Sequence, residues 1–448
     1  MANLNQLSLL SQSKVAEVYL KENHELVHIT DLMDWDKLIL IGMNARSKVR
    51  KEVGPQPKYR ELMGAVVLMS LKKFDYRQAE DMIAHYAPAR YMCDLMDSTW
   101  QPDHVTIFDF TKMLGPSGMA TINQEVLELA KDIGFLDPKE LMSDTTAQEA
   151  KIPYPTEVGL MSDFVGRVKK QLGKVGKAFT KVKSKVKEVL KKVKGLVRSY
   201  HLFSKDKKSK IKTSKKLFYT VTEIQEELSK VFGNFKPRGG KASLELQRLW
   251  TVMETLLPQM KHFIETGFVA NKKIIHLKMS ELYAIVRGKA GKKTEFGLKW
   301  GINRIGGGFA SGFLIGGGEH CSDIKFCHQA VKEHQKIFSE TPEVYGFDRG
   351  GYSQGSVKKV KALGVKYVGI APKGKADWEI SLSKQEYVRR ERAQVEGVIG
   401  TIKSQSYGFN KPGARSIAAM ESCGHRAILG FNLRKLIKEN QKLLFQTT

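Results

Sequence analysis

"KTEFGLKWGINRIGGGFASGFLIGGG", residues 293–318, sets two β-forming apolar runs on either side of the glycines at 306–308. Consecutive glycines between such runs read as a hairpin, because the tight turn joining twisted antiparallel strands needs positive φ at its centre. Downstream the period changes. "CHQAVKEHQKIFSE" (327–340) has helical apolar spacing, "VYGF" (344–347) is a short apolar strand, "SVKKVKALG" (356–364) a helix, "VKYVGIAP" (365–372) a strand, and a long helix follows from about residue 384. A hairpin followed by alternating strands and helices predicts a mixed α/β sheet covered by helices.

Upstream, "KELMSDTTAQEAKIPYPTEVG" (139–159) combines short apolar pieces, β-formers and prolines, and is expected to supply two strands and a loop. Residues 1–130 read as helices, with helical recurrence in "KYRELMGAVVLMSLKKFDYRQAEDMIAHY" and a turn and helix in "QPDHVTIFDFTKMLG". The expected division is a helical DNA-binding or dimerising domain over 1–130 and an α/β domain over 131–440, interrupted by a basic helical insertion over 162–275.

The chain has 448 residues, 42% of them hydrophobic, which suffices for more than one core. Its 74 Lys and Arg against 47 Asp and Glu leave a net charge of +27. A field of that size implies a polyanionic partner, nucleic acid ahead of an anionic membrane. Four scattered cysteines are too few for a disulfide framework, and no apolar run approaches the roughly 20 residues of a membrane span. The expectation is a soluble, cytoplasmic protein.

Much of the charge is local: residues 167–216 carry 20 Lys or Arg and only two acids, Glu188 and Asp206. Within that stretch Val168, Leu172, Val175, Phe179, Val182, Val186, Val189, Val193 and Leu196 are spaced alternately by four and three, a coiled-coil-like seam with a lysine face. Gly173, Gly176 and Gly195 argue against one unbroken helix. The face is open to three readings: a solvated surface, a clamp on phosphates through residues such as Lys181, Lys185 and Lys192, or a membrane-surface helix.

Three carboxylates stand out by context. Asp144 follows the apolar "LM" of the first strand, Asp348 ends "VYGF", and Glu396 lies in the last long helix, for which Ser383 and Glu386 have capping-box spacing. Arg392, Glu396 and Lys403 share one helix face beside the apolar stripe of Val388, Val395, Val398 and Ile402; Glu391 is as eligible by spacing. Carboxylates converging on two divalent cations can drive in-line displacement at a phosphodiester without a histidine or serine nucleophile. The cluster His320, Cys321, Cys327 and His328 fits no standard zinc spacing, and Asp323 beside it reads as a helix cap. "GGKAS" (239–243) lacks the earlier glycine of a phosphate loop.

Four ordered segments resemble the insertion-sequence transposases of the DDE superfamily. "DTTAQEAKIPYPTEVGLMSD" is similar to the first-aspartate motif, "RGKAGKKTEFGLKWGI" to the approach to the third strand, "FDRGGYS" to the second-aspartate motif, and "RAQVEGVIGTIKSQSYGFNKPGAR" to the terminal Arg-x3-Glu-x6-Lys helix. The match spans most of residues 40–440. It implies a ribonuclease H-like catalytic domain with a helical insertion between the second and third strands. It also makes Asp144, Asp348 and Glu396 the triad for two Mg2+ or Mn2+ ions, choosing Glu396 over Glu391.

Arg392 and Lys403 become cations near the DNA end. Arg389 stands where relatives have a tyrosine, with Tyr387 two residues earlier, and one extra glycine precedes Tyr352. The implied partners are double-stranded DNA, as terminal inverted repeats and as target, and a second copy in a homodimer. The competing readings are a nuclease that cuts without joining and a DNA-binding relic without catalysis.

Overall fold

Two residues make the turn expected at the glycines: Gly307 and Gly308 both have positive φ, 83° and 85°, a conformation that side chains beyond glycine strongly disfavour. The computed structural model describes residues 20–21, 24–49, 55–234, 240–286, 294–316, 322–372 and 377–447. His320, Cys321, the start of "GGKAS" and the Gly-Lys segment before Thr294 lie outside the described residues.

Among the described residues, six helices precede the sheet: α1 (Glu25–Leu32), α2 (Trp35–Val49), α3 (Tyr59–Lys72), α4 (Tyr76–His85), α5 (Ala87–Met92) and α6 (His104–Asp132). The turn between α3 and α4 passes through Lys73 in the left-handed region, and Asp75 then caps α4 with a full capping box. Asp103 caps α6, which kinks where Pro116 follows the non-helical Gly115.

Strand β1 (Asp137–Glu149) is continuous where two strands were expected. From Leu141 to Glu149 it pairs antiparallel with β3 (Thr294–Gly306), residue for residue. The ladder ends before Pro153 and Pro155, which have no N–H to donate, and Thr156 caps the helix that follows. The insertion therefore leaves after the first strand, not between a second and third. Its helices are α7 (Glu157–Leu172), α8 (Thr180–Leu202), α9 (Lys207–Asn234) and α10 (Lys241–Thr266).

The chain returns as β2 (Tyr283–Val286), β3, and β4 (Phe309–Ile315). Then come α11 (Asp323–Phe338), β5 (Val344–Phe347), α12 (Gln354–Lys361), β6 (Tyr367–Ile370), α13 (Leu382–Lys403) and α14 (Ile417–Thr447). The sheet order is β2-β3-β1-β5-β6, with β4 also paired to β3. Its β3 and β4 neighbours are antiparallel, whereas β5 and β6 run parallel to β1. Ser381, not Ser383, caps α13, accepting from the Lys384 N–H.

The helices before β1 do not close a core of their own. Leu26, Leu68 and Val126 join Leu141, Phe309, Phe326 and Tyr345 of the α/β unit and Leu433 of α14 in one buried cluster. On the opposite face Met142 packs with Val388 and Val395 of α13. The insertion has a separate core. Val168, Leu172, Phe179, Val182, Val186, Val189 and Val193 are all buried there with Leu217 and Val221 of α9 and Leu246 and Leu249 of α10. The seam is thus real packing, broken at Gly173–Gly176 between α7 and α8 but uninterrupted at Gly195. Among the described residues, no helix is long and apolar enough to cross a membrane.

Candidate active site

The parallel ladder between β1 and β5 pairs Glu140 with Val344, Leu141 with Tyr345 and Met142 with Gly346. Two residues further along the same register come Asp144 and Asp348, so the register sets Asp348, just past the end of β5, beside Asp144, midway along β1. Asp348 leaves β5 and caps a 3-10 turn at Arg349–Gly351, its carboxylate accepting from the Gly350 N–H. Asp144 accepts from the Thr145 N–H at 2.6 Å.

Burial pushes the Asp144 carboxyl up from 3.8 to about 6; the Thr145 bond opposes it, Asp348 adds to it, Arg392 opposes it and Asp323 adds to it. Two half-buried carboxylates side by side, one of them raised in pKa by burial and like charge, suit a hard divalent cation, which would relieve the repulsion.

Helix α13 lies across the face carrying Asp144. Because β-strand side chains alternate, Met142, Asp144 and Thr146 share that face. Met142 meets the buried stripe of α13, and Lys403 at the helix end donates to Thr146 Oγ1 at 3.3 Å. Close approach is possible because β5 carries Gly346 here: a Cβ at that position would lie 2.3 Å from Met142 Sδ and 3.1 Å from Val388.

The rotation of the helix is set by Glu391, which is 8% exposed and pairs with Arg304 of β3 at 3.0 Å. Glu391 is therefore part of the packing. Arg392, Glu396 and Lys403 fall on the flank beside it. Arg392 acts on Asp144, Lys403 reaches Thr146 and also lies 3.7 Å from Glu295, and the exposed Glu396 stands between them along the helix. Among the described residues, no three acid, imidazole or thiol side chains are gathered closely enough to hold one ion. Arg389 points elsewhere, its guanidinium 5.5 Å over the Trp378 ring.

Asp323 belongs to this neighbourhood, and the sequence reading missed it. Ser322 is the cap of α11, accepting from the Lys325 N–H. Asp323 instead sits 3.0 Å from Lys299 Nζ and 3.5 Å from Thr145 Oγ1. Its other oxygen is 3.1 Å from where a Cβ on Gly350 would stand. The Ser-Asp pair at a helix start looked like capping, and nothing in the local sequence pointed to Lys299 on another strand.

The nearby Cys327 is buried, donates to the Asp323 carbonyl at 3.2 Å and has its thiol pushed up to about 12 by burial. It is a packing residue.

On the insertion, Lys181 and Lys192 are exposed on α8, whereas Lys185 is held by Glu223 of α9 at 2.6 Å and by Glu188 at 3.3 Å. The lysine face is thus partly neutralised from within the bundle.

Comparison with protein-family models, curated proteins and solved structures finds no match for this chain.

Proposed function

We propose that the chain is a DDE-type DNA transposase whose α/β domain is ribonuclease H-like. The observation that carries this reading is the register of β1 and β5, which aligns Asp144 with Asp348 beneath a helix whose flank bears Arg392, Glu396 and Lys403. An antiparallel meander of β1, β3 and β4 extended by parallel β5 and β6 is compatible with that fold. The net charge of +27 supports a DNA partner.

Asp144, Asp348 and Glu396 would hold two Mg2+ or Mn2+ ions, Glu396 by turning inward from its exposed position. Bound there, the ions would activate water and stabilise the leaving 3′ oxygen. Arg392 and Lys403 neutralise phosphates on either side of the scissile bond, and Lys299 keeps Asp323 from adding its full charge to the pair. The reaction frees a 3′ hydroxyl at an inverted-repeat end, and the same centre directs that hydroxyl at target DNA, with two copies of the chain bringing two ends together.

The test is Asp348→Asn. Cleavage in magnesium should vanish while binding to the element's ends persists; full activity in that variant would remove Asp348 from the mechanism. A strand-transfer assay separates a transposase from a nuclease that only cuts, and metal-dependent nicking rules out a non-catalytic relic.

A further inference from the structure

Where α13 ends, four segments distant in sequence line an open cavity of about 590 Å³. They are the turn from α3 into α4, the end of β1 at Glu149, the chain from Lys403 to Gly413, and the first turns of α14. The volume falls in the range of roughly 300 to 1,000 Å³ typical of small-ligand sites. Four cations border it, Lys73, Lys403, Lys411 and Arg426, against the carboxylates of Asp75 and Glu149. Asp75 is already committed, accepting from the N–H groups of Arg77 and Gln78 at the start of α4. Glu149 lies 3.8 Å from Lys411. Half-buried Arg426 forms no ion pair with a carboxylate among the described residues, its charge bearing instead on the Tyr76 hydroxyl of α4.

We propose that this cavity is a second phosphodiester site, receiving a single-stranded segment of DNA that continues from the carboxylate pair. This rests on the transposase reading. Lys403 supplies the connection: its ammonium is bonded to Thr146, two residues past Asp144, and its side chain also borders the cavity. A strand lying across Asp144 therefore has a cationic path past Lys403 toward Arg426, whose planar fork suits a phosphate held by two parallel hydrogen bonds. Lys411 would exchange its loose contact with Glu149 for a stronger one with the strand. A duplex does not fit a cavity of this size, whereas one nucleotide unit does.

The experiment uses the full chain in EDTA, so that binding is read without cleavage. Fluorescence anisotropy compares a blunt duplex with one carrying a three-nucleotide single-stranded extension. Arg426→Gln should weaken binding of the extended duplex about tenfold, the worth of one charge-assisted hydrogen-bonded contact, and change the blunt one little. Lys411→Gln, on an exposed loop, should act in the same direction and lower the salt slope for the extended duplex by about 1.

Equal losses on both duplexes, or none, overturn the proposal. So does inorganic phosphate that competes as well as the extension does at equal ionic strength, since the cavity would then serve a free anion. Unchanged extension binding by Arg426→Gln in a chain that still cuts DNA sinks the cavity alone. Selective loss of extension binding in a chain that never cuts DNA in magnesium sinks the catalytic reading and leaves the cavity standing.

Discussion

Arg304 of β3 and Glu391 of α13 form an ion pair at 3.0 Å with both side chains nearly withdrawn from water. This pair locks the roll of α13 about its own axis. With Glu391 turned into the sheet, the flank bearing Arg392, Glu396 and Lys403 is left beside the stretch of β1 from Asp144 to Thr146.

That arrangement separates two glutamates that spacing could not. Glu391→Ala should destabilise the fold by about 3 kcal/mol, because the buried Arg304 guanidinium loses its only carboxylate among the described residues and keeps just the Gln394 amide oxygen. Glu396→Gln should change stability by no more than about 0.5 kcal/mol, as expected for an exposed site, and yet abolish DNA cleavage. Urea denaturation alongside a nicking assay checks both; a stable, inactive Glu391 variant with an active Glu396 variant would reverse the assignment.

Asp144 should make stability depend on pH. Its folded pKa, about 6, lies above the unfolded value of 3.8, so the native state binds the proton more tightly. Stability is therefore lost as pH rises from about 4 to about 6, by an amount on the order of 3 kcal/mol, and the full penalty is present at neutral pH. Asp144→Asn should remove it. Thermal melts should show the variant more stable than the parent at pH 7.5, with the gap closing near pH 4; a constant gap would mean that burial does not strain this carboxyl.

A divalent cation should reverse the same penalty. Manganese or magnesium at about 100 times its dissociation constant would stabilise the native chain by roughly 2.7 kcal/mol through mass action. The gain in melting temperature should disappear in Asp144→Asn and in Asp348→Asn. An equal gain in the parent and both variants would place the cation elsewhere. Cleavage should weaken at acidic pH, where protonation of Asp144 competes with the cation, and raising the metal concentration should move that loss to lower pH.

The bundle's role is read from salt. Replacing Lys181, Lys187, Lys191, Lys192 and Lys194, all exposed on α8, with glutamine should flatten the dependence of DNA affinity on salt concentration, each phosphate contact contributing about 0.9 to the slope. Lys185→Gln should do less, because Glu223 already holds that ammonium. An unchanged slope in the five-fold variant would make the lysine face a solvated surface.

Local patterns carried much of the architecture. The glycine hairpin, the strand before Asp348, the alternating units after it and the buried seam of the insertion each depend on residues close in sequence, and each left a periodic or turn signal. The expected break between two strands near Asp144 did not, because the continuity of β1 comes from its pairing with β3, more than a hundred residues away. Asp323 was misread for the same reason.

By itself, then, the sequence determined the mixed α/β class and the positive field, since composition and short-range periodicity are enough for these. Only tertiary structure decided that the register of β1 and β5 sets Asp144 beside Asp348, that Glu391 is spent on packing, and that Lys403 both bonds Thr146 and borders a cationic cavity. Those relations arise from strand register and from the roll of one helix, and both are set by partners that the chain meets only after it has folded.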